Sequence, residues 1–273
     1  MPKIDFTKVV GSGNDFIVID NRSLDAEKTV KDLSSFAVYV CRRKLSIGAD
    51  GLLVLGRADK ADFRMRIFNP DGSEASMCGN GARCASSYAV AEGWCAKSLK
   101  IETGAGIVEA DVNGSNVKLK MTDPHHITLD KDIGIEKSLL KTHFIDTGVP
   151  HVVHFTERLD NYPVREIGAQ IRNHKAFSPG GANANFVKVL GENKIKVRTY
   201  ERGVEDETLA CGTGSVAAAI ISHLVNGTKP PVKVLTASGD VLTVYFNVLA
   251  NKVSNVYLEG EAKIVFKGGI EYV

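Results

Sequence analysis

Apolar and polar residues alternate along this chain in short runs separated by Gly, Asn and Asp. Runs of strand character cover residues 6–10, 16–20, 51–55 and 63–69, and the stretch 28–41 predicts a helix. A small-residue run of helical character follows at 84–91, and then apolar-alternating strands at 99–103, 106–112 and 117–121, divided by Gly and Asn turns. The second half repeats this order. Strands at 143–146 and 152–155 precede a helix around 164–173, then strands at 184–190 and 194–199, then a second small-residue helix at 216–223. Four more strands close the chain at 232–235, 241–246, 253–259 and 262–266. The pattern predicts an α+β fold of two pseudo-symmetric domains, each a mostly antiparallel β-sheet or barrel wrapped around a central α-helix. The expected halves are residues 1–123 and 124–263, with the seam near Asp123-Pro124.

The two small-residue helices are introduced by the same phrase, MCGNGAR at 77–83 and ACGTGS at 210–215, separated by about half the chain. Each is one cysteine, Cys78 or Cys211, followed by glycines that let a ligand approach the backbone closely. A helix N-terminus offers unpaired N–H groups and the positive end of the macrodipole, which favours a thiolate and binds anions. Two matched thiols at two such termini could divide a proton transfer between them, one taking a proton while the other gives one.

Composition narrows the alternatives. With 34 basic against 32 acidic residues, the charge carries no footprint of a nucleic-acid or anionic-membrane partner. No apolar stretch reaches the roughly 20 residues of a spanning helix, and the start, MPKIDFTKVVGSGNDF, lacks the charged and apolar regions of a signal peptide. The expectation is a soluble, cytoplasmic protein. Five cysteines, an odd number without CxxC spacing, argue against both a disulfide framework and a metal site. Cys41, Cys84 and Cys95 sit among apolar neighbours and are expected to be buried and structural.

Three phrases spanning nearly the whole chain, GSGNDF (11–16), FNPDGSEASMCGNGARC (68–84) and YERGVEDETLACGTG (200–214), resemble the signatures of the diaminopimelate epimerase family. The resemblance implies a cofactor-independent enzyme that interconverts LL- and meso-diaminopimelate, in lysine biosynthesis, on two domains. It also implies that residues 264–273 return to the first domain, and it is compatible with a homodimer. By position, Cys78 and Cys211 match the acid/base pair, and Gly79, Asn80, Gly212 and Thr213 the residues that hold the α-carboxylate. Asn14, Asn69, Asn183, Glu201 and Arg202 match other substrate-contacting positions. Arg202 suits the distal carboxylate because its planar fork binds both oxygens. His151 and Glu201 match residues that support the thiols or orient the substrate.

The chemistry is consistent with that resemblance. Removing an α-proton from an amino acid and returning one on the opposite face needs a base and an acid on opposite sides of one carbon, and two thiols can fill both roles. Helix N-termini would hold the substrate carboxylate as negative charge develops, so no pyridoxal phosphate is needed. Three departures from the family pattern stand out. Val149 precedes Pro-His where many relatives have asparagine, Gly51 follows Asp50 where some have glutamine, and the stretch 203–208 is one residue longer than usual.

Other readings stay open beside this one. A racemase or epimerase of another amino acid could use the same fold. A thiol redox protein is disfavoured by cysteines so far apart in sequence, and an idle amino-acid-binding scaffold by the retention of both glycine-flanked cysteines and Arg202. GSGNDF lacks the third glycine of a dinucleotide loop.

Overall fold

The computed structural model describes residues 3–135, 138–250 and 252–272, with the side chains of 25–27 outside the description. The described chain forms two compact units, 3–119 with 260–272 and 120–259. These divisions fall a few residues before each seam expected from the sequence.

In the first unit, strand Lys3–Gly11 turns through Ser12 and Gly13, both at positive φ, into the antiparallel strand Asn14–Asp20. On its other edge, Lys3–Gly11 pairs with the C-terminal strand Lys263–Glu271. Asn14–Asp20 runs parallel to Gly51–Gly56, and the crossover between them carries helices α1 (Asp25–Val30) and α2 (Leu33–Cys41). The sheet continues through Phe63–Phe68, which is parallel to Ser98–Thr103, and then through the antiparallel strands Gly106–Asn113 and Asn116–Lys120. Between the parallel pair lies α3 (Gly79–Ala91), which touches seven of these strands: 3–11, 14–20, 51–56, 63–68, 98–103, 106–113 and 263–271. A sheet can close this tightly on a helix only if the helix is thin. Ala82, Cys84, Ala85, Ser86, Ser87 and Ala89 supply a small surface over most of it, and all are buried, with Arg83 and Tyr88 the two large buried side chains among them.

The second unit repeats the plan. Pro150–Phe155 runs parallel to Asn183–Gly191, with α4 (Val164–Arg172) in the crossover. Lys194–Glu201 runs parallel to Val232–Leu235, with α5 (Gly212–Asn226) between them. The antiparallel partners are His125–Ile135, Ser138–Asp146, Asp206–Thr208, Val241–Leu249 and Lys252–Glu261. Residues Gly214 to Ser222 of α5 are buried against the strands around it. A second apolar layer lies outside each sheet. Phe36, Ala37 and Val40 of α2 pack on Ile17, Ile19, Leu52 and Val54, and Val164 and Ile171 of α4 pack on Val152, Ala184 and Phe186. Among the described residues no helix is long and apolar enough to cross a membrane.

The α+β architecture expected from the hydrophobic pattern is the one observed, with differences that have local causes. The helix expected at 28–41 is broken in two, because Lys31 takes a positive φ and Asp32 caps α2 by accepting from the N–H groups of Ser34 and Ser35. The small-residue helices begin several residues earlier than expected, immediately after each cysteine, because glycine in the first turn disguises helical sequence. His125–Ile135 was not expected as a strand, since most of its residues are exposed and it shows little apolar alternation.

α4 packs so closely that a Cβ on Gly168 would stand 2.4 Å from Cβ of Tyr200. Gly168→Ala should therefore destabilise the chain by about 1–3 kcal/mol in urea unfolding. Gly134→Ala, where a Cβ would meet nothing within 4 Å, should change stability by less than about 0.5 kcal/mol.

Candidate active site

Cys78 is the N-cap of α3, in extended conformation at φ −144° and ψ 122°, and its Sγ accepts a 3.4 Å hydrogen bond from the N–H of Gly81. The glycines around it have different reasons. A Cβ on Gly79 would meet nothing within 4 Å, which leaves open space beside the thiol, whereas one on Gly81 would press on Leu53 at 3.2 Å. Asn80, buried in the first turn, accepts at Oδ1 from the Arg83 guanidinium at 2.6 Å and donates from Nδ2 to Oδ1 of Asn14. Asn14 passes the chain on, donating to Oδ2 of Asp50 at 3.0 Å. Arg83 is fully buried and also donates to Ser12 Oγ at 2.8 Å.

This relay fixes which way both amides face. A guanidinium can only donate and a carboxylate only accepts, so the carbonyls of Asn80 and Asn14 are committed and each amide keeps a second N–H. Asp50 is itself held by Arg43 at 2.7 Å. Next to it, Asp15 takes Lys8 at 2.7 Å and Arg43 at 2.6 Å. Burial alone would raise the Asp15 pKa, but hydrogen bonds from Lys8 and Arg43 hold it below the usual carboxylate range.

Asn69 is placed differently. It is exposed in the turn after Phe63–Phe68, donating from Nδ2 to Ser73 Oγ at 2.9 Å, and its described contacts do not join it to the Asn14–Asn80 pair.

In the second unit, Cys211 caps α5 at φ −117° and ψ 116° and is buried, with Sγ 3.5 Å from Oγ1 of Thr213. Glu201, at the end of strand Lys194–Glu201, hydrogen-bonds the Cys211 thiol and accepts from Thr208 Oγ1 at 3.0 Å. Burial raises the pKa of the Glu201 carboxyl, and these two bonds only partly offset it. Asn183 is oriented from both sides: Oδ1 accepts from the backbone N–H of Arg202 at 2.7 Å, and Nδ2 donates to the carbonyl of Pro150 at 3.3 Å. Arg202 donates one guanidinium N–H to the Gly180 carbonyl at 3.3 Å. His151 is fully buried beside Asn183 in the parallel ladder. Burial, and then the charge of Arg202, lowers its pKa to about 3, so the ring is neutral at physiological pH. A Cβ on Gly212 would lie 3.1 Å from Leu258, and one on Gly214 would lie 2.4 Å from Asn185 Oδ1.

The structure thus gathers Cys78, Gly79, Asn80 and Asn14 at the start of α3, and Cys211, Gly212, Thr213 and Glu201 at the start of α5. Arg202, Asn183 and His151 form a cluster in the second unit. Arg83, Asp50, Asn185 and Thr208 support these residues and were not singled out from the sequence. Arg83 and Thr208 lie inside the signature phrases, but nothing in a sequence reveals which neighbour a side chain faces or that Arg83 is fully buried.

The departures also find structural context. Gly51 faces the carbonyl of Phe68, which a Cβ would approach to 3.0 Å. The longer stretch after Arg202 is pinned by Glu205, whose carboxylate accepts from Gly203 N–H and Arg172 Nε. The other thiols match their expected roles in part. Cys41 and Cys84 are buried, and burial pushes their pKa values up to about 11 and about 12, while Cys95 is only half-buried.

The sequence pattern of the family described as diaminopimelate epimerase matches residues 6–127 and 143–265. The chain belongs to the diaminopimelate epimerase family. A diaminopimelate epimerase of Aquifex aeolicus is 43% identical over 97% of both chains. One from Chlorobaculum tepidum is 42% identical over 95% of this chain and 98% of its own. Solved structures share the fold at lower identity. A PhzF-family phenazine biosynthesis protein of Bacillus anthracis superimposes with a TM-score of 0.73 at 19% identity over all of both chains. A probable proline racemase of Agrobacterium radiobacter does so with a TM-score of 0.68 at 15% identity, over 98% of this chain and 93% of its own.

His151 gives this family member a pH signature. Its folded pKa lies below the ordinary 6.5, so the unfolded chain binds a proton that the folded chain refuses, and stability falls as pH drops from 6.5 toward 3. His143 and His154 are also lowered by burial, so the contribution of His151 is read by difference. In His151→Gln the slope of unfolding free energy against pH between 6 and 4 should shrink by about 1.4 kcal/mol per pH unit, measured by urea titrations.

Proposed function

We propose that this chain interconverts LL- and meso-diaminopimelate without a cofactor, with Cys78 and Cys211 as the two acid/base groups. The observation that carries the reading is their equivalence: each caps a helix enclosed by the strands of its unit, at the same point of a repeated topology. The relatives' shared name supplies the substrate. Each unit then contributes one of the two thiols.

One cysteine, as thiolate, removes the α-proton, and the other, as thiol, returns a proton to the opposite face. In the reverse direction they exchange roles. Deprotonation puts negative charge on the α-carbon and its carboxylate. The N–H groups of Gly79, Asn80, Gly212 and Thr213 at the two helix starts are fixed donors for that charge and need no reorganisation as it grows. Asn14 adds a side-chain N–H, aligned by Asp50. Arg202 binds the distal carboxylate, and Asn183 holds the backbone that carries it. His151 and Glu201 orient the substrate and the Cys211 side of the site. The substrate is a free small amino acid, so the reading places the enzyme in the cytoplasm, supplying lysine synthesis. A homodimer is compatible with it.

Purified, reduced protein with LL-diaminopimelate and no added cofactor should generate the meso isomer. Cys78→Ala and Cys211→Ala should each lower kcat/KM by at least about 10²–10⁴-fold. If the intact protein leaves diaminopimelate unchanged and epimerises another amino acid, the substrate assignment fails and the fold serves a different racemase.

A further inference from the structure

We infer that Asn185 is a positioning residue that locks His151 as its Nε2–H tautomer, so that the buried imidazole serves the site as a hydrogen-bond donor and not as a base. The inference deepens the reading proposed above and rests on it only for its kinetic consequence.

Asn185 lies on strand Asn183–Gly191 and is 1% exposed, so its amide must satisfy itself within the protein. Its surroundings leave one orientation. Nδ2 lies 3.0 Å from the carbonyl of Val152, which can only accept, and Oδ1 lies 3.0 Å from the hydroxyl of Thr199, which donates to it. Turning the amide over would set oxygen against oxygen at Val152 and lose that bond. The same Nδ2 has a second hydrogen, and Nδ1 of His151 lies 3.1 Å from it. A ring nitrogen that faces an N–H must offer its lone pair. In a neutral ring the single proton is then on Nε2.

Nε2 is buried and has no hydrogen-bond partner among the described residues. A buried N–H without an acceptor is unfavourable, so the group is suited to an acceptor that arrives with the ligand, a carboxylate oxygen. The lock is also built into the α5 start. Oδ1 of Asn185 occupies the space beside Gly214, where a Cβ would be 2.4 Å from that oxygen and 3.3 Å from Cys211 Sγ. One amide therefore packs under the helix turn that carries the second thiol and fixes the proton on the histidine.

The test begins with substrate-free, 15N-labelled protein and long-range proton–nitrogen correlation of the imidazole, with His151→Gln as the blank that assigns the signal. The expected spectrum has an unprotonated Nδ1 and a protonated Nε2, unchanged between pH 8 and pH 5. A protonated Nδ1, alone or in an imidazolium, overturns the inference whatever the substrate proves to be. Asn185→Asp keeps the shape but can only accept, and should move a proton onto Nδ1 and lower kcat by about 10–100-fold with a smaller change in KM. Should that variant not fold, Asn185→Leu, also similar in shape, should release the ring to a mixture of tautomers. A spectrum and kcat unchanged in the variant would show that Asn185 sets nothing. His151→Gln, which retains an N–H donor, should keep more activity than His151→Leu, and equal loss in both would contradict the donor role.

Discussion

Everything in this protein depends on a helix enclosed by its own sheet, with a cysteine at its N-terminus. Enclosure favours small side chains, and these predominate in α3 and in the first two turns of α5. The first turn of a helix also leaves N–H groups without an intrahelical acceptor. A helix start of this kind either binds its own cap or waits for an anion. Here the cap is a thiol, loosely engaged at 3.4 Å in one unit and near a threonine hydroxyl in the other.

The side chains around those starts are held in one polarity. In the first unit a buried guanidinium at one end and a carboxylate at the other align the amides of Asn80 and Asn14, leaving N–H groups as their spare capacity. In the second, the Pro150 carbonyl and the Arg202 N–H align Asn183, while the Val152 carbonyl and the Thr199 hydroxyl align Asn185, whose second N–H faces His151. Such a surface favours carboxylate oxygens over ammonium groups, while Glu201 supplies an acceptor beside Cys211. Because the donors are positioned by buried partners, they cost little to arrange when charge develops on a substrate.

Much of this was legible in the sequence, for identifiable reasons. The strand and helix alternation follows from apolar periodicity, and its repetition in both halves exposed the duplication before any contact was known. Cys78 and Cys211 stood out because the same cysteine–glycine phrase occurs twice. The break between α1 and α2 was missed because it depends on one residue, Lys31, at positive φ. Strand His125–Ile135 was missed because exposed strands carry little hydrophobic signal. Arg83, Asp50 and Asn185 could not be read as supports, since their roles come from which neighbour each faces across the fold. Val149 remains a departure whose effect on the distal end of a substrate nothing in the described contacts explains.

In the proposed reaction two separate groups, each able to hold a single proton, act on one carbon, and isotope wash-in tests this most directly. A thiol that removes the substrate proton carries that proton alone, while its partner delivers one drawn from solvent. In deuterated water at low conversion, the account predicts deuterium at the α-carbon of the newly formed isomer and none in the remaining substrate, whichever isomer is supplied. Deuterium appearing equally in both isomers from the first turnovers would mean that one group serves both faces, and would contradict the two-thiol account.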